Sequence, residues 1–387
     1  MRLFMLVLVV LVVVGAVVFF TLGADLADRR MNVVLPVPAL PVSAEAQRVH
    51  ALAHVVDLHA DALLWPRDLN TRHDHGHVDV PRLLEGNVTL QVFSVVTKAP
   101  RGLNYERNDA STDNVTLLAV AQRYPVRAWS SLLERARWQA TRLQRAADAS
   151  GGRLRVIRSS GELQRLVDDR AAGRQVVGGL LATEGLHALD GRLEAVDTLW
   201  ASGFRLYGLT HFFDNEVGGS AHGVERGGLT PLGRSVLARI EALGGIVDVA
   251  HASPTLVNET LAATTRPIVV SHTGVQATCP GARNLTDDQL RRIAARGGIV
   301  GIGYWDGAIC VPNAANFAKA VVHAVAVAGE DHVALGSDFD GSTKVPFHTG
   351  DLTQATVALL EAGLTPDQVQ KVLGGNAVRF FLAHLPA

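Results

Sequence analysis

Six short apolar runs in this chain each end in a histidine or a carboxylate. In sequence order they are VVDLHAD (His59, Asp61), GGLLATEG (Glu184), FRLYGLTH (His211), GIVDVAH (His251), PIVVSH (His272) and HVALGSD (Asp338). A short apolar run bounded by polar residues reads as a buried strand. Two further runs, Asn87 to Val96 and Gly298 to Trp305, lack the polar ending and bring the candidate strands to eight. All are near-continuous rather than alternating, as expected of strands buried on both faces. Helical patterns lie between most of them. Pro231 to Leu243 follows Thr230, a candidate N-cap, and stops before Gly244 and Gly245. Leu285 to Gly298 has Thr286 as its cap and acids in its first turn. Strands alternating with helices imply a parallel sheet. An open doubly wound sheet and a (β/α)8 TIM-type barrel both satisfy that pattern. The barrel is the expectation, because its strands all deliver their C-terminal ends to one site.

Length and charge fit one large domain. The chain has 387 residues and a net charge of −1, so it has no general attraction to nucleic acid. The barrel is expected over 48–387. The longest insertion, roughly Thr97 to Val176, contains an Arg-rich helical stretch, Ser131 to Ala149, whose charges are expected to form a solvated face. The first residues form a separate element. Leu3 to Leu22 is twenty residues without a charge, long enough to span a hydrocarbon core of roughly 30 Å. Cleaved signals have shorter apolar regions, and Leu22 is a poor −3 residue for cleavage after Ala24. Residues 1–24 therefore read as a transmembrane anchor in preference to a signal, and 25–47, spaced by prolines, as a semi-extended tether. The barrel is expected on the extracytoplasmic side of a membrane, or secreted if the segment is removed. A homodimer is left open.

Asp57, His59 and Asp61 alternate along one strand and so share a face, which in a barrel is the interior. His-x-Asp at a strand end is a weak metal signal alone. Glu184, His251 and His272 complete a set of five nitrogen and oxygen ligands, which suits zinc, and a number that suits two ions sharing one bridge. No candidate strand ends in a lysine that could be carboxylated, so Glu184 is the natural bridge. The cluster RHDHGH, Arg72 to His77, also has ligand chemistry but lies in a loop with no apolar run to hold it. Two zinc ions sharing a hydroxide would supply a nucleophile at neutral pH. His211 suits an oxyanion donor, Asp338 a proton shuttle, and Arg283 a reader of a free carboxylate. For these three the bland alternatives are a core histidine, a strand-end turn former and a surface arginine.

These residues also carry a resemblance. DLHAD, HVDVPRLLEGNVTLQVFSV, TEGLH, LTHFFDN, GLTPLGRSVLARIEALGGIVDVAHAS, IVVSHTGVQATCPGARN, GSDFDG and GGNAVRFF, in that order from about Val55 to Phe381, resemble the membrane (renal) dipeptidase family of dinuclear zinc peptidases. The resemblance implies that His59 and Asp61 bind one zinc, His251 and His272 the other, and that Glu184 bridges them. It implies that His211 contacts substrate and oxyanion, Arg283 the substrate carboxylate or oxyanion, and that Asp338 moves a proton. The substrate expected is a small dipeptide with a free C-terminal carboxylate, including one with a D-residue at that end. An N-acyl amino acid and a non-catalytic, membrane-tethered binding barrel are the alternatives. One position departs from the pattern: aligned through GIVGIGYWDGAIC, Trp305 stands where mammalian members carry a pocket tyrosine.

The only two cysteines, Cys279 and Cys310, follow the sixth and seventh candidate strands. Loops after consecutive barrel strands open side by side. Outside the cytosol such a pair is expected to form a disulfide, two buried free thiols being the alternative.

Overall fold

The computed structural model describes residues 1–387. Eight parallel strands close a barrel: β1 Val55–Ala60, β2 Val88–Val96, β3 Val177–Glu184, β4 Phe204–Gly208, β5 Ile246–Asp248, β6 Val269–Thr273, β7 Ile299–Ile302 and β8 Val333–Leu335. Each pairs with the next, and closure is made where Leu335 of β8 sits opposite Asp57 of β1. A ninth short strand, Leu154–Val156, pairs with Val177–Gly179 of β3, below the point where β4 takes over at Leu181.

The period of two along the strands decides what faces the site. Val56 and Leu58 join a buried cluster with Leu163 and Leu166 of helix Ser160–Ala171 and with Phe380 and Phe381 of helix Asn376–His384. Asp57 and His59 therefore point to the other face, into the barrel. The outer helix must approach closely: a Cβ on Gly374 would lie 1.7 Å from the His54 carbonyl oxygen.

Local signals set the helices. Thr230 caps Pro231–Leu243 by accepting from the Gly233 amide, and Gly244 ends that helix at φ 81°. Thr286 and Gln289 form a reciprocal capping box at the start of Asp287–Ala295. Ser131 caps Leu132–Ala149. That Arg-rich helix is only partly a solvated face. Arg135 is buried, donating to the carbonyls of Ala128 and Thr97 and pairing with Asp113 at 2.6 Å. It fastens the insertion to the end of β2.

The N-terminal helix is long and is not followed by a free tether. It runs without interruption over Arg2–Met31, with one widened turn at Phe19–Gly23. Its exposed apolar stretch makes it long and apolar enough to cross a membrane. An anchor and a signal sequence both meet that description. Where a tether is expected over 25–47, the chain lies on the barrel. Asp28 and Asn32 are buried, Val33–Val34 pairs in parallel with Lys344–Val345, and the Leu40 amide donates to Gln354 Oε1 at 2.6 Å. Ser43 then caps helix Ala44–Leu52. Pro36, Pro38 and Pro41 keep residues 35–43 out of helix and strand, but backbone groups there can still be captured by neighbours.

Candidate active site

The polar strand endings meet at the C-terminal mouth of the barrel. His59 and His272 lie within β1 and β6, Glu184 ends β3, and Asp61, His211, His251 and Asp338 come one to three residues after their strands. All seven are buried. Glu184 is central. Its Oε1 is 3.5 Å from His59 Nε2, 3.0 Å from His251 Nε2 and 3.5 Å from His272 Nε2, and its Oε2 is 3.5 Å from His211 Nε2. His59 Nε2 is also 3.5 Å from Asp61 Oδ2 and 4.0 Å from Asp338 Oδ1. The Nε2 atoms of His251 and His272 are 3.0 Å apart.

These spacings suit a metal. Donors around a tetrahedral zinc ion, at roughly 2.0–2.2 Å from it, stand about 3.3 Å from one another. Three buried atoms here, His59 Nε2, Asp61 Oδ1 and Glu184 Oε2, have no hydrogen-bond partner. Orphans of that kind are costly unless something else satisfies them. Three overlapping groups of donors lie within 4.8 Å of one another: His59–Glu184–His272, Glu184–His211–His251 and His59–Asp61–Asp338. Glu184 and His59 are each in two of them. His211 is as near Glu184 as a ligand would be, closer in than a residue reserved for substrate need sit.

The electrostatics favour cations. Burial works against charge on His59, but the carboxylates of Asp61 and Glu184 overcome it and hold the imidazole up at about 10. Burial pushes the Asp338 carboxyl up to about 8, against the pull of His59, and raises Glu184 well above the ordinary range. Burial drives His211, His251 and His272 well below theirs, so they are neutral and free to donate a lone pair.

A ring of supporting residues aims the ligands. Ser271 Oγ lies 2.9 Å from His272 Nδ1 and 3.3 Å from His59 Nδ1, which turns both Nε2 atoms toward Glu184. Asp248 Oδ1 accepts from the amides of Ala250 and Ser271, each at 2.9 Å. Asp57, on the ligand face of β1, accepts from Ser337 Oγ at 2.6 Å and Gln91 Nε2 at 2.9 Å, tying β1 to β8 and β2. His251 and Asp338 occupy left-handed backbone, at φ 61° and 58°. Non-glycine residues rarely do so, and such positions gather at functional sites. Gly341 leaves room for the two aspartates: a Cβ there would lie 2.1 Å from Asp338 Oδ1 and 2.9 Å from Asp61 Oδ2.

Arg283 and Trp305 stand beside this cluster. The guanidinium is buried, 5.3 Å from the Trp305 ring centroid, with Nε and Nη2 unpartnered. Burial lowers its pKa, against the pull of Asp338 and Glu184. The Trp305 ring is 5.6 Å from that of His272, and Tyr304 packs away from the site, on Phe317 and Phe347. Cys279 and Cys310 form a disulfide that joins the loops bearing Arg283 and Trp305. A cavity of about 370 Å³ opens above the cluster, and its opposite wall, from the loops after β1 and β2, is apolar: Leu64, Trp65, Leu103, Leu118 and, from the N-terminal helix, Met31.

The RHDHGH loop holds no ligand to this cluster. Its His77 is buried and accepts at Nδ1 from the Asp340 amide, 2.8 Å away, so it secures the loop after β8. Lys98, just past β2, donates to the Ala110 carbonyl, while its own carbonyl lies 3.4 Å from His211 Nδ1. Sequence reading also missed Tyr105, whose hydroxyl donates to Asp306 at 3.3 Å, and His222, whose ring stacks 4.8 Å from that of Phe212.

The family model of the membrane dipeptidases, peptidase family M19, matches residues 43–384. The chain belongs to that family. This membrane dipeptidase family member is 26% identical over 357 residues to the dipeptidase tcpJ of Claviceps purpurea, covering 89% of this chain and 78% of that protein. It is 28% identical over 352 residues to the dipeptidase aclJ of Aspergillus oryzae, covering 84% and 76%. Two solved structures share the fold. One is a metallo peptidase from Rhodobacter sphaeroides liganded with a phosphinate mimic of the dipeptide L-Ala-D-Ala, with a TM-score of 0.68 and 23% identity over 86% of this chain and 99% of that one. The other is the probable dipeptidase PvdM from Pseudomonas aeruginosa, with a TM-score of 0.71 and 16% identity over 88% and 97%. The family is one of metallopeptidases, so this member is a hydrolase of the dipeptidase class, with donor clusters fit for a metal.

Proposed function

We propose that this membrane dipeptidase family member cleaves small dipeptides that have a free C-terminal carboxylate, using two zinc ions. The observation that carries the reading is Arg283, a buried guanidinium with two unpartnered nitrogens beside a cluster rich in metal donors. His59 and Asp61 would hold one ion, His251 and His272 the other, and Glu184 would bridge them. Bound there, zinc supplies an activated water at neutral pH and a Lewis acid for the scissile carbonyl.

The protein's own groups do the rest. Arg283 takes the substrate carboxylate in a bidentate grip, from the side of β6 and β7. Trp305 packs against that end. The amino-terminal residue then falls toward β1 and β2, across the barrel, where Leu64, Trp65 and Leu118 favour an apolar side chain. His211, as the neutral tautomer that carries its proton on Nε2, donates to the carbonyl oxygen as it gains charge. Asp338, which bound cations would hold ionised, would accept the proton of the attacking water and pass it to the leaving amine. The Rhodobacter sphaeroides neighbour, liganded with a mimic of L-Ala-D-Ala, supports including D-residues at the C-terminal position. The barrel would work outside the cytoplasm, held by the N-terminal helix.

Metal analysis of the purified full-length protein, followed by a panel of L,L and L,D dipeptides, their C-terminal amides and N-acyl amino acids, tests the proposal. Two zinc ions per chain and hydrolysis confined to free dipeptides are expected. Faster cleavage of N-acyl amino acids would replace the dipeptide reading, and one zinc per chain would remove the bridged pair.

A further inference from the structure

We propose that the segment leaving the N-terminal helix, Asp28 to Val34, holds the loop that carries Asp338, and that Asp28 and Asn32 are positioning residues for its carboxylate. The inference rests on the proton-transfer role given to Asp338.

The loop after β8 needs to be held. Asp338, Asp340 and Ser342 all have left-handed backbone, at φ 58°, 63° and 62°. Alternating non-glycine residues in that region persist only where their surroundings over-determine them. The first half is clamped from within the barrel. Asp340 accepts from the His77 amide at 2.7 Å and gives its own amide to His77 Nδ1, and its carbonyl accepts from Trp65 Nε1 at 2.6 Å.

The second half is clamped by the N-terminal segment. The Ser342 amide donates to Asn32 Oδ1 at 2.9 Å. Val33 and Leu35 donate backbone bonds to the carbonyls of Thr343 and Val345, at 3.2 and 2.8 Å. Thr343 Oγ1 in turn donates to the Asp338 carbonyl at 2.7 Å, so the paired strand reaches back to the proposed proton carrier.

A buried charge relay joins the two clamps. Asn32 Nδ2 donates to Asp28 Oδ1 at 2.7 Å, Asp28 Oδ2 accepts from Arg67 Nε at 2.7 Å, and Arg67 Nη2 lies 2.7 Å from Asp340 Oδ2. Asp28, Asn32, Arg67 and Asp340 are all buried. Residues just past the proposed anchor boundary are thus joined, through one arginine, to the strained turn at the mouth. A membrane tether has no use for a buried aspartate and asparagine that bond to that turn, whereas a brace needs both.

The test uses full-length protein in detergent, with Asn32→Ala and Asp28→Asn each made in the wild-type and in the Asp338→Asn background. In the wild-type background both variants are expected to lower kcat about tenfold while KM and zinc content hold. In the Asp338→Asn background they are expected to add no loss, because the group they position is gone. Amide exchange at Ser342 to Val345 is expected to quicken in both. Equal losses in the two backgrounds would show a merely structural role and overturn the proposal, as would unchanged kcat with unchanged exchange. Should Asp28→Asn fail to fold, Asn32→Ala, which removes no charge, decides. If Asp338→Asn alone keeps wild-type kcat, the role of Asp338 falls, and exchange still reports whether the brace exists.

Discussion

Glu184 is the residue on which both halves of the candidate site depend. Its two oxygens lie within 3.5 Å of four imidazoles. Glu184→Gln keeps the shape but removes the charge that would offset two cations. The expected outcome is loss of most bound metal and of activity, read by elemental analysis of the variant. Full metal content would assign the bridge elsewhere. Arg283→Ala is expected to act on recognition instead. KM should rise by about tenfold or more for free dipeptides, with little change for C-terminal amides. Equal effects on both would mean that the guanidinium reads another group. The metal-type donors were legible because each closes an apolar run, and a buried run that stops at a histidine or carboxylate has few other uses. Ser271, Asp248 and His222 were not legible. A hydroxyl inside a strand and a histidine in a loop carry no periodic signal, and their importance lies in which ring they touch.

Among the elements, the loops after β6 and β7 are joined by Cys279–Cys310, across a separation of 31 residues. Reducing it is expected to lower stability by ~4 kcal/mol on chain-entropy grounds. Denaturant unfolding with and without reductant measures this, and an unchanged midpoint would exclude a stabilising bond. The clamp between the Arg72–His77 loop and Asp340 predicts an acid response. Burial lowers the His77 pKa to about 4, and its Nδ1 must stay unprotonated to accept from the Asp340 amide. The unfolded state binds that proton near pH 6.5 and the folded state only near 4, so protonation favours unfolding. Stability is expected to be complete above about pH 6.5 and to fall toward pH 4 by roughly 1 kcal/mol per pH unit from this residue. Melting temperatures across that range check it, and His77→Gln should flatten the slope. The caps at Thr230, Thr286 and Ser131 could be read because capping is local. Arg135 could not: a charged residue on a mostly solvated helix turns inward only when distant carbonyls and an aspartate are waiting, and Asp113 lies in another part of the chain.

For the molecule as a whole, the barrel was legible from the count and order of buried runs, since closure gives all eight strand ends one destination. The route of residues 25–47 was not. Prolines rule out helix and strand interiors, but they do not say whether the freed backbone meets water or a neighbour. The N-terminal helix predicts a membrane-bound protein that keeps its first residues. It should stay in the pellet after carbonate extraction and begin before Ala24 on N-terminal sequencing. A mature chain starting at Asp25 would replace the anchor with a cleaved signal, and would leave Asp28 in place. As an anchor, the unbroken helix would fix a height as well as a location. With Leu3 to Leu22 in a bilayer, the nine residues from Gly23 to Met31 rise roughly 13 Å, and Met31 lines the cavity. The mouth then lies close to the headgroups, within reach of a surface potential that decays over about 8 Å at physiological salt. Where that leaflet carries anionic headgroups, anionic solutes are thinned out in the layer and cations are gathered there, zinc among them. A dipeptide zwitterion carries no net charge and arrives at its bulk concentration.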